Sequence, residues 1–298
     1  MVTHREVPDW LRAAYPFEPR HFSTPGGATM SYVDEGPRCD EAVLMLHGNP
    51  TWSFFYRRLI QELAPTMRCV APDHVGMGLS DQPEDYDYTL AGRVRDVEAL
   101  VIHLGLKKVH LVVHDWGGAI GMGWTADHAA QLDRVVVMNT AAFPLNRIPA
   151  RIALCKLPVI GPLLVRGANG FAAPATSMAM HRRSLTPMEK RGYLLPYSSW
   201  ASRVAVNAFV RDIPMKPGHR SWAALQRAEA GVAALADKQV LLAWGMRDFC
   251  FDPHFLAEWQ RRLPTAQVER YNDAGHYLLE DAPEAVERVA AFLKSRAA

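Results

Sequence analysis

An α/β architecture, with a mostly parallel sheet flanked by helices and an all-helical cap inserted into it, is the fold class this sequence predicts. Three observations carry the prediction. Short apolar runs alternate with helix-length segments, the order expected of right-handed β-α-β crossovers. The runs are rich in Val and Leu without polar alternation, as strands buried on both faces require. After Met138 the strand signal disappears, and it returns only at Val240.

Taken in order, the strand-like runs are 42–46, 68–71, 109–113, 134–138 and 240–244. Between them, 53–63 and 90–104 read as helices. The second of these places Val94, Val97, Leu100, Val101 and Leu104 on one face at i, i+3, i+4 spacing. From 143 to 215 there is much Ala, Met, Arg and Pro in helix-like stretches and no convincing strand. The expected organisation is a first core part over 1–142, a helical cap over 143–215 and a second core part over 216–298. Ligands of open α/β sheets bind at the carboxyl ends of the strands. Such a cap would therefore roof the site, its apolar and Met-rich side chains lining a pocket. The sequence shows no internal repeat and no low-complexity tract.

Bulk composition narrows the partners. The 298 residues are 49% hydrophobic and 21% charged, ordinary for a soluble globular chain. A balance of 33 basic against 31 acidic side chains gives +2, too little net charge to select nucleic acid or an anionic membrane. Cys39, Cys69, Cys155 and Cys250 are widely spaced with no C-x-x-C pair, which suits reduced thiols in the cytoplasm. The polar start, Met1 to Asp9, has no apolar core of a signal peptide. The greasiest stretch, 152–165, is broken by Lys156, Pro158, Gly161 and Pro162. It falls short of the ~20 apolar residues a span needs, and leaves a peripheral or substrate-facing role open.

The chemistry begins at Asp115. The run 109–113 is followed by His114-Asp115-Trp116-Gly117-Gly118 and a helix-like segment. This is the pattern of a nucleophile elbow, where a strand ends in a sharp turn that pushes one side chain above the sheet. A serine commonly stands there. A carboxylate in its place can displace a leaving group from an sp3 carbon or open a strained ring, forming an ester on the enzyme. Asp248 follows the run 240–244, and His276 sits in Asp273-Ala274-Gly275-His276-Tyr277. Nucleophile, acid, histidine is the chain order of the α/β-hydrolase triad. In those roles His276 activates the water that clears the ester, and Asp248 orients the imidazole and stabilises its charged form.

His47-Gly48-Asn49-Pro50 follows the run 42–46, the position of a loop that gives one backbone N–H to an oxyanion hole. The N–H of Trp116 gives the other. The side chains of Asn49 and Trp116 are both N–H donors, able to converge on a departing anion. Each feature has a plainer reading: an Asp after a strand commonly does no more than cap a helix. Asp252 competes with Asp248, His110 and His114 suit structural roles, and Trp116 suits packing. Order and placement together favour the triad.

With those residues assembled, the chain resembles the haloalkane dehalogenase family of α/β hydrolases over nearly its whole length. The resemblance is carried by Leu46-His47-Gly48-Asn49-Pro50-Thr51-Trp52-Ser53, by 71–81, by His114-Asp115-Trp116-Gly117-Gly118 and by Gly275-His276-Tyr277. It implies that Asp115 displaces a halide, that Asn49 and Trp116 bind it, and that His276 activates water. The acid of that family follows either of two strands. Asn139 stands at the alternative place, which leaves Asp248. The combination looks most like the third subgroup, which includes the olefin-forming β-lactone decarboxylases. There the leaving group is a carboxylate, and carbon dioxide departs to give an alkene.

The resemblance implies a small apolar substrate and water, a halide or carboxylate leaving group, no cofactor and no metal. For decarboxylase-type members it also implies work beside other hydrocarbon-pathway enzymes, although no motif here shows such a contact. A long-chain cis-β-lactone is the favoured substrate and a halogenated alkane the alternative. Epoxide hydrolase is a third reading, with Tyr193 and Tyr197 of the insertion as activating phenols. Asn49, where those enzymes tend to carry an aromatic residue, speaks against it. A non-catalytic receptor on the same scaffold would gain nothing from a complete triad.

Overall fold

The computed structural model describes residues 6–295. The absence of a signal segment was read over Met1 to Asp9, of which 1–5 lie outside the described residues. Eight strands form one sheet: β1 (Arg20–Ser23), β2 (Thr29–Glu35), β3 (Glu41–Leu46), β4 (Cys69–Pro72), β5 (Lys108–His114), β6 (Leu132–Met138), β7 (Gln239–Gly245) and β8 (Gln267–Tyr271). Their order is β1-β2-β4-β3-β5-β6-β7-β8. β1 pairs with β2, and β2 with β4, antiparallel; every other pairing is parallel.

The central strands are apolar throughout because each faces two cores. Leu44, Leu46, Leu111, Val113, Val137 and Leu242 point into one cluster. Val43, Met45, Val112, Val136, Leu241 and Ala243 point into the other. That alternation is the two-residue period of a strand spread over both faces. Cutting one of these Leu side chains back to Ala costs about 2–5 kcal/mol.

Three strands, β1, β2 and β8, were not expected from the sequence, and each has a polar reason. β1 and β8 are edge strands, partly exposed, with sequences Arg-His-Phe-Ser and Gln-Val-Glu-Arg-Tyr. β2 is buried but carries Asp34, whose carboxylate receives the Arg68 guanidinium at 2.9 and 3.0 Å. A paired charge inside a strand hides it from a search for apolar runs.

Between β6 and β7 the regular elements are all helical: Ala150–Cys155, Ile160–Pro162, a π-helical turn Leu163–Gly167, Ala172–Met178, Pro187–Leu194, Val204–Arg211 and Trp222–Ala233, with short 3₁₀ turns. The last of these packs on the helix Trp116–His128 beside the sheet. Among the preceding ones Ala150–Cys155, Ala172–Met178 and Val204–Arg211 help wall a cavity that Asn49, Asp115 and His276 also line. A buried ionic cluster ties them down. Arg57 bonds Glu280 and reaches Glu189 at 3.3 Å, while the Tyr193 hydroxyl donates to Glu280 at 2.7 Å. Among the described residues no helix is long and apolar enough to cross a membrane.

Candidate active site

Five loops leave the carboxyl ends of parallel strands on the same side of the sheet, and each brings one part of the site. β5 ends at His114, and Asp115 takes φ 51 and ψ −126 before the helix Trp116–His128 begins. A non-glycine residue adopts this backbone only where its surroundings impose it. Here its carbonyl accepts from the Gly118 N–H at 3.0 Å and from the Thr140 hydroxyl, and its N–H donates to the Asn139 carbonyl at 3.2 Å. Two glycines make room. A Cβ on Gly117 would stand 1.9 Å from the Leu46 carbonyl oxygen, and one on Gly48 would stand 2.0 Å from Asp115 Oδ1. The elbow therefore needs bare backbone on both sides of the nucleophile.

The two oxygens of Asp115 have different company. Oδ1 accepts the Asn49 backbone N–H at 2.6 Å, and the Trp116 backbone N–H also bonds the carboxylate. Oδ2 faces His276 Nε2 at 3.7 Å, too long for a hydrogen bond. On its other side His276 Nδ1 meets Asp248 Oδ2 at 2.7 Å, and Asp248 Oδ1 accepts the Cys250 N–H at 2.6 Å. All three side chains are buried. Burial raises the Asp115 carboxyl pKa, and the charge of His276 and the two backbone N–H groups offset only part of that. Burial also works against charging His276. The charge of Asp248 and its hydrogen bond, aided by Asp115, outweigh it, so the imidazole is more basic than usual.

The other histidines near the site are held neutral. His47 is pushed down to about 3 by burial. His74 lies well below the ordinary imidazole range through burial and the neighbouring His47 and Arg93, and His114 through burial and the neighbouring His276. They act as spacers: the His74 N–H donates to His47 Nε2 at 3.0 Å, and His114 Nε2 bonds the His276 carbonyl at 2.9 Å.

Asn49 and Trp116 both line the cavity beside Asp115. The Asn49 amide nitrogen donates to the Val206 carbonyl at 3.1 Å. That carbonyl accepts only from the NH2 end, which fixes the amide and leaves its second N–H for a ligand. Trp116 leans on Phe209, ring centroids 5.3 Å apart. The remaining wall is mostly carbon, with Phe143, Ile148, Ile152, Phe171, Phe249 and Phe251 prominent. Methionine contributes only Met178 and Met215, so the lining is more aliphatic and aromatic than Met-rich.

Asp252 does not join the site. Its carboxylate caps the helix Pro253–Arg262 by accepting the His254 N–H, and it pairs with Arg147 at 2.6 Å. Tyr193 and Tyr197 also miss it: both are buried outside the cavity lining, Tyr193 on Glu280 and Tyr197 with its hydroxyl 3.4 Å from the Thr51 carbonyl. This removes the phenols that an epoxide-opening site would use. Asn139, at the alternative place for the acid, has work of its own. Its amide donates to the Gly245 carbonyl at 3.0 Å and accepts the Gly245 N–H at 2.8 Å, clamping β6 to the end of β7.

Sequence reasoning missed Thr140, Val206 and the Cys250 N–H. Two of these act through backbone atoms, which leave no trace in residue identity. Glu41, His110 and Asp133 gather at the amino ends of β3, β5 and β6, far from the cavity. Lys108 sits between the two carboxylates at 3.1 and 3.0 Å, so the protein itself meets their charge.

The sequence profile of the alpha/beta hydrolase fold matches residues 41–283. A cis-3-alkyl-4-alkyloxetan-2-one decarboxylase of Xanthomonas campestris pv. campestris is 43% identical over 292 residues, covering 94% of this chain and 97% of that protein. Haloalkane dehalogenase 2 of Mycobacterium tuberculosis is 31% identical, covering 95% and 96%. Among solved structures, haloalkane dehalogenase DbeA from Bradyrhizobium elkani USDA94 superposes with a TM-score of 0.83 at 28% identity, covering 92% of this chain and 96% of that one.

Proposed function

Because the chain belongs to the haloalkane dehalogenase family of α/β hydrolases, we propose that it opens a long-chain cis-β-lactone on Asp115 and releases carbon dioxide and an alkene. An oxetan-2-one is a β-lactone, so the relative at 43% identity supports this substrate over a haloalkane. In this reading 143–215 act as the cap that shapes the apolar pocket. Asp248, His276, Asn49 and Trp116 complete the site.

The single observation that carries the reading is the inequality of the Asp115 oxygens. Oδ1 is held by the Asn49 backbone N–H, while Oδ2 is left toward His276 and a carbon-lined cavity. Oδ2 attacks the sp3 ring carbon that bears the ring oxygen. The C–O bond breaks, and its electrons leave a carboxylate that the Asn49 amide and Trp116 indole N–H groups receive. The bond between that carboxylate and its carbon then breaks, its electrons form the alkene, and the ester C–O pair returns to Asp115. Atoms and charge balance with no water, cofactor or net proton.

A haloalkane takes the same first step but cannot decarboxylate. Its ester must be hydrolysed: neutral His276 takes a proton from water, the water attacks the Asp115 carboxyl carbon, and Oδ1 carries the oxyanion between two N–H donors. The shared donors and the dehalogenase relatives support this as a second activity of the same site. The four cysteines, all unpaired, support a cytoplasmic setting.

The test is turnover of a long-chain cis-β-lactone beside a bromoalkane, with products identified by gas chromatography and mass spectrometry. Alkene and carbon dioxide are expected from the lactone. Recovery of unchanged lactone, or of a hydroxy acid in place of alkene, would exclude the decarboxylase reading.

A further inference from the structure

The outer surface of the cap around the helix Ala150–Cys155, which also lines the cavity, is unusually greasy. Of the large apolar side chains exposed among the described residues, Leu154, Leu157, Val159, Ile160 and Leu163 fall within ten consecutive positions, and Val159 and Leu163 are 72% and 60% exposed. They sit on the helix Ala150–Cys155, the turn after it and the helical segments that follow, which pack side by side. Contiguous apolar surface of this kind marks a docking face more often than chance exposure.

We propose that this ridge seats the enzyme on an anionic lipid surface, from which an apolar substrate enters the cavity. The inference rests on the lipid-like substrate proposed above, and three observations support it. First, the ridge and the cavity share one helix: on Ala150–Cys155, Ile152 and Cys155 line the cavity while Leu154 faces out. An interfacial helix buries its apolar face about 5–10 Å into the headgroup and acyl boundary. That seating would bring the cavity wall formed by Ile152 and Cys155 to the edge of the hydrocarbon.

Second, the charge has the right sign. From 143 to 188 the sequence contains Arg147, Arg151, Lys156, Arg166, Arg182 and Arg183, and not one Asp or Glu. Arg147, Arg166, Arg182 and Arg183 pair with acids elsewhere in the chain. Arg151 and Lys156, the two nearest the ridge in sequence, have no carboxylate partner among the described residues. Arg151 lies over Phe249 at the cavity, and the Lys156 ammonium bonds three backbone carbonyls at 2.8–3.2 Å. A net charge of only +2 for the whole chain concealed this local excess.

Third, the same charges disfavour a second copy of the chain as the cover. A two-fold contact presents the same patch from both sides, so it would set two patches of the same sign against each other, with no Asp or Glu from 143–188 to meet their cations. Anionic headgroups meet them instead, and a juxtamembrane cation gains most near such a surface at low salt.

The test uses the full chain and co-sedimentation with vesicles of phosphatidylcholine, with and without phosphatidylglycerol. The wild type should partition onto phosphatidylglycerol vesicles and bind phosphatidylcholine alone, or either in high salt, about tenfold more weakly. The triple variant Leu157→Glu, Val159→Glu, Leu163→Glu should lose at least about tenfold in partition. These side chains do not line the cavity, so its turnover of a short, water-soluble β-lactone should match the wild type. Absence of vesicle binding by wild type that turns over the short lactone overturns the docking. So does a shift of the variant to a smaller oligomer in analytical ultracentrifugation, which would assign the ridge to a second copy. Failure of the wild type on every β-lactone would instead remove the substrate reading, whatever the vesicles report.

Discussion

Beneath the cavity Asp115 is tied by hydrogen bonds through its carbonyl, its N–H and its carboxylate, whereas above it the cap offers mostly carbon. Asp115 is held through its carbonyl by Gly118 and Thr140, through its N–H by Asn139, and through Oδ1 by Asn49. Across the cavity, Ile148, Ile152, Phe171 and Ala175 give shape and dryness and almost no direction. The contrast assigns the parts. The floor decides which bond breaks, because charge develops there among fixed dipoles. The roof decides which molecules reside long enough to react, because it can select only by size and apolarity.

If the floor alone carries the chemistry, its largest single lever should separate two substrates that share it. His276→Gln keeps a side chain of similar size and removes the base. With a bromoalkane the ester should form and then stall, so turnover falls by about 10⁴-fold, the upper end of what a positioned general base contributes. Intact-protein mass spectrometry should find the alkyl adduct on Asp115. With the β-lactone no water is needed, and alkene release should fall far less. Equal losses on both substrates, without an adduct, would break the division of labour between hydrolysis and decarboxylation.

The leaving-group donors should matter to both substrates. Trp116→Phe or Asn49→Ala should slow departure of halide and of carboxylate by about 10²-fold, the loss of one preorganised donor. Unchanged turnover would take the anion-binding role away from them. The Val206 carbonyl sharpens this test. Since it orients the Asn49 amide from the cap, it is a polar element that the roof lends to the floor.

The pH profiles should part by smaller factors. The hydrolytic route requires neutral His276, and Asp248 together with Asp115 holds that imidazole above its ordinary value of 6.5 despite burial. Alcohol formation should therefore decline as pH drops through a point above 6.5, by about tenfold per unit below it. Alkene formation involves no proton removal by His276 and should lack that acid limb. Stopped-time assays of both products across the neutral range measure the difference directly.

The same contrast explains what could be read from the sequence. The central strands were legible because two-sided burial forces unbroken Val and Leu runs, and β1, β2 and β8 were not, because edges and the Asp34–Arg68 pair keep them polar. On the floor, Asp115, Asp248, His276, Asn49 and Trp116 were each singled out from residue type and position, and the structure brings all five to one place. The choice of Asp248 over Asp252 becomes physical only in three dimensions, where Asp252 is occupied by a helix N-terminus and Arg147. The roof was legible only as helix. Tyr193 and Tyr197 looked like lid phenols, yet Tyr193 is held away from the cavity by Glu280, a partner 87 positions away in the chain. Composition cannot say which face of a helix is wet.

Asn139 offers the smallest and most discriminating test of the floor. Its side chain touches neither cavity nor triad, but its amide holds both the N–H and the carbonyl of Gly245, three residues before Asp248. Its own backbone sits at φ 35, a conformation Asn tolerates better than most residues. Asn139→Ala should strand two buried backbone groups and cost about 1–3 kcal/mol in urea denaturation. Turnover should drop only severalfold, through a looser Asp248. Asn139→Asp should restore the acceptor for the Gly245 N–H but set a carboxylate against the Gly245 carbonyl, leaving the protein no more stable than the Ala variant. If Asn139→Asp instead rescued activity in an Asp248→Asn background, the acid could migrate between the two strand ends, and the floor would be less fixed than its hydrogen bonds imply.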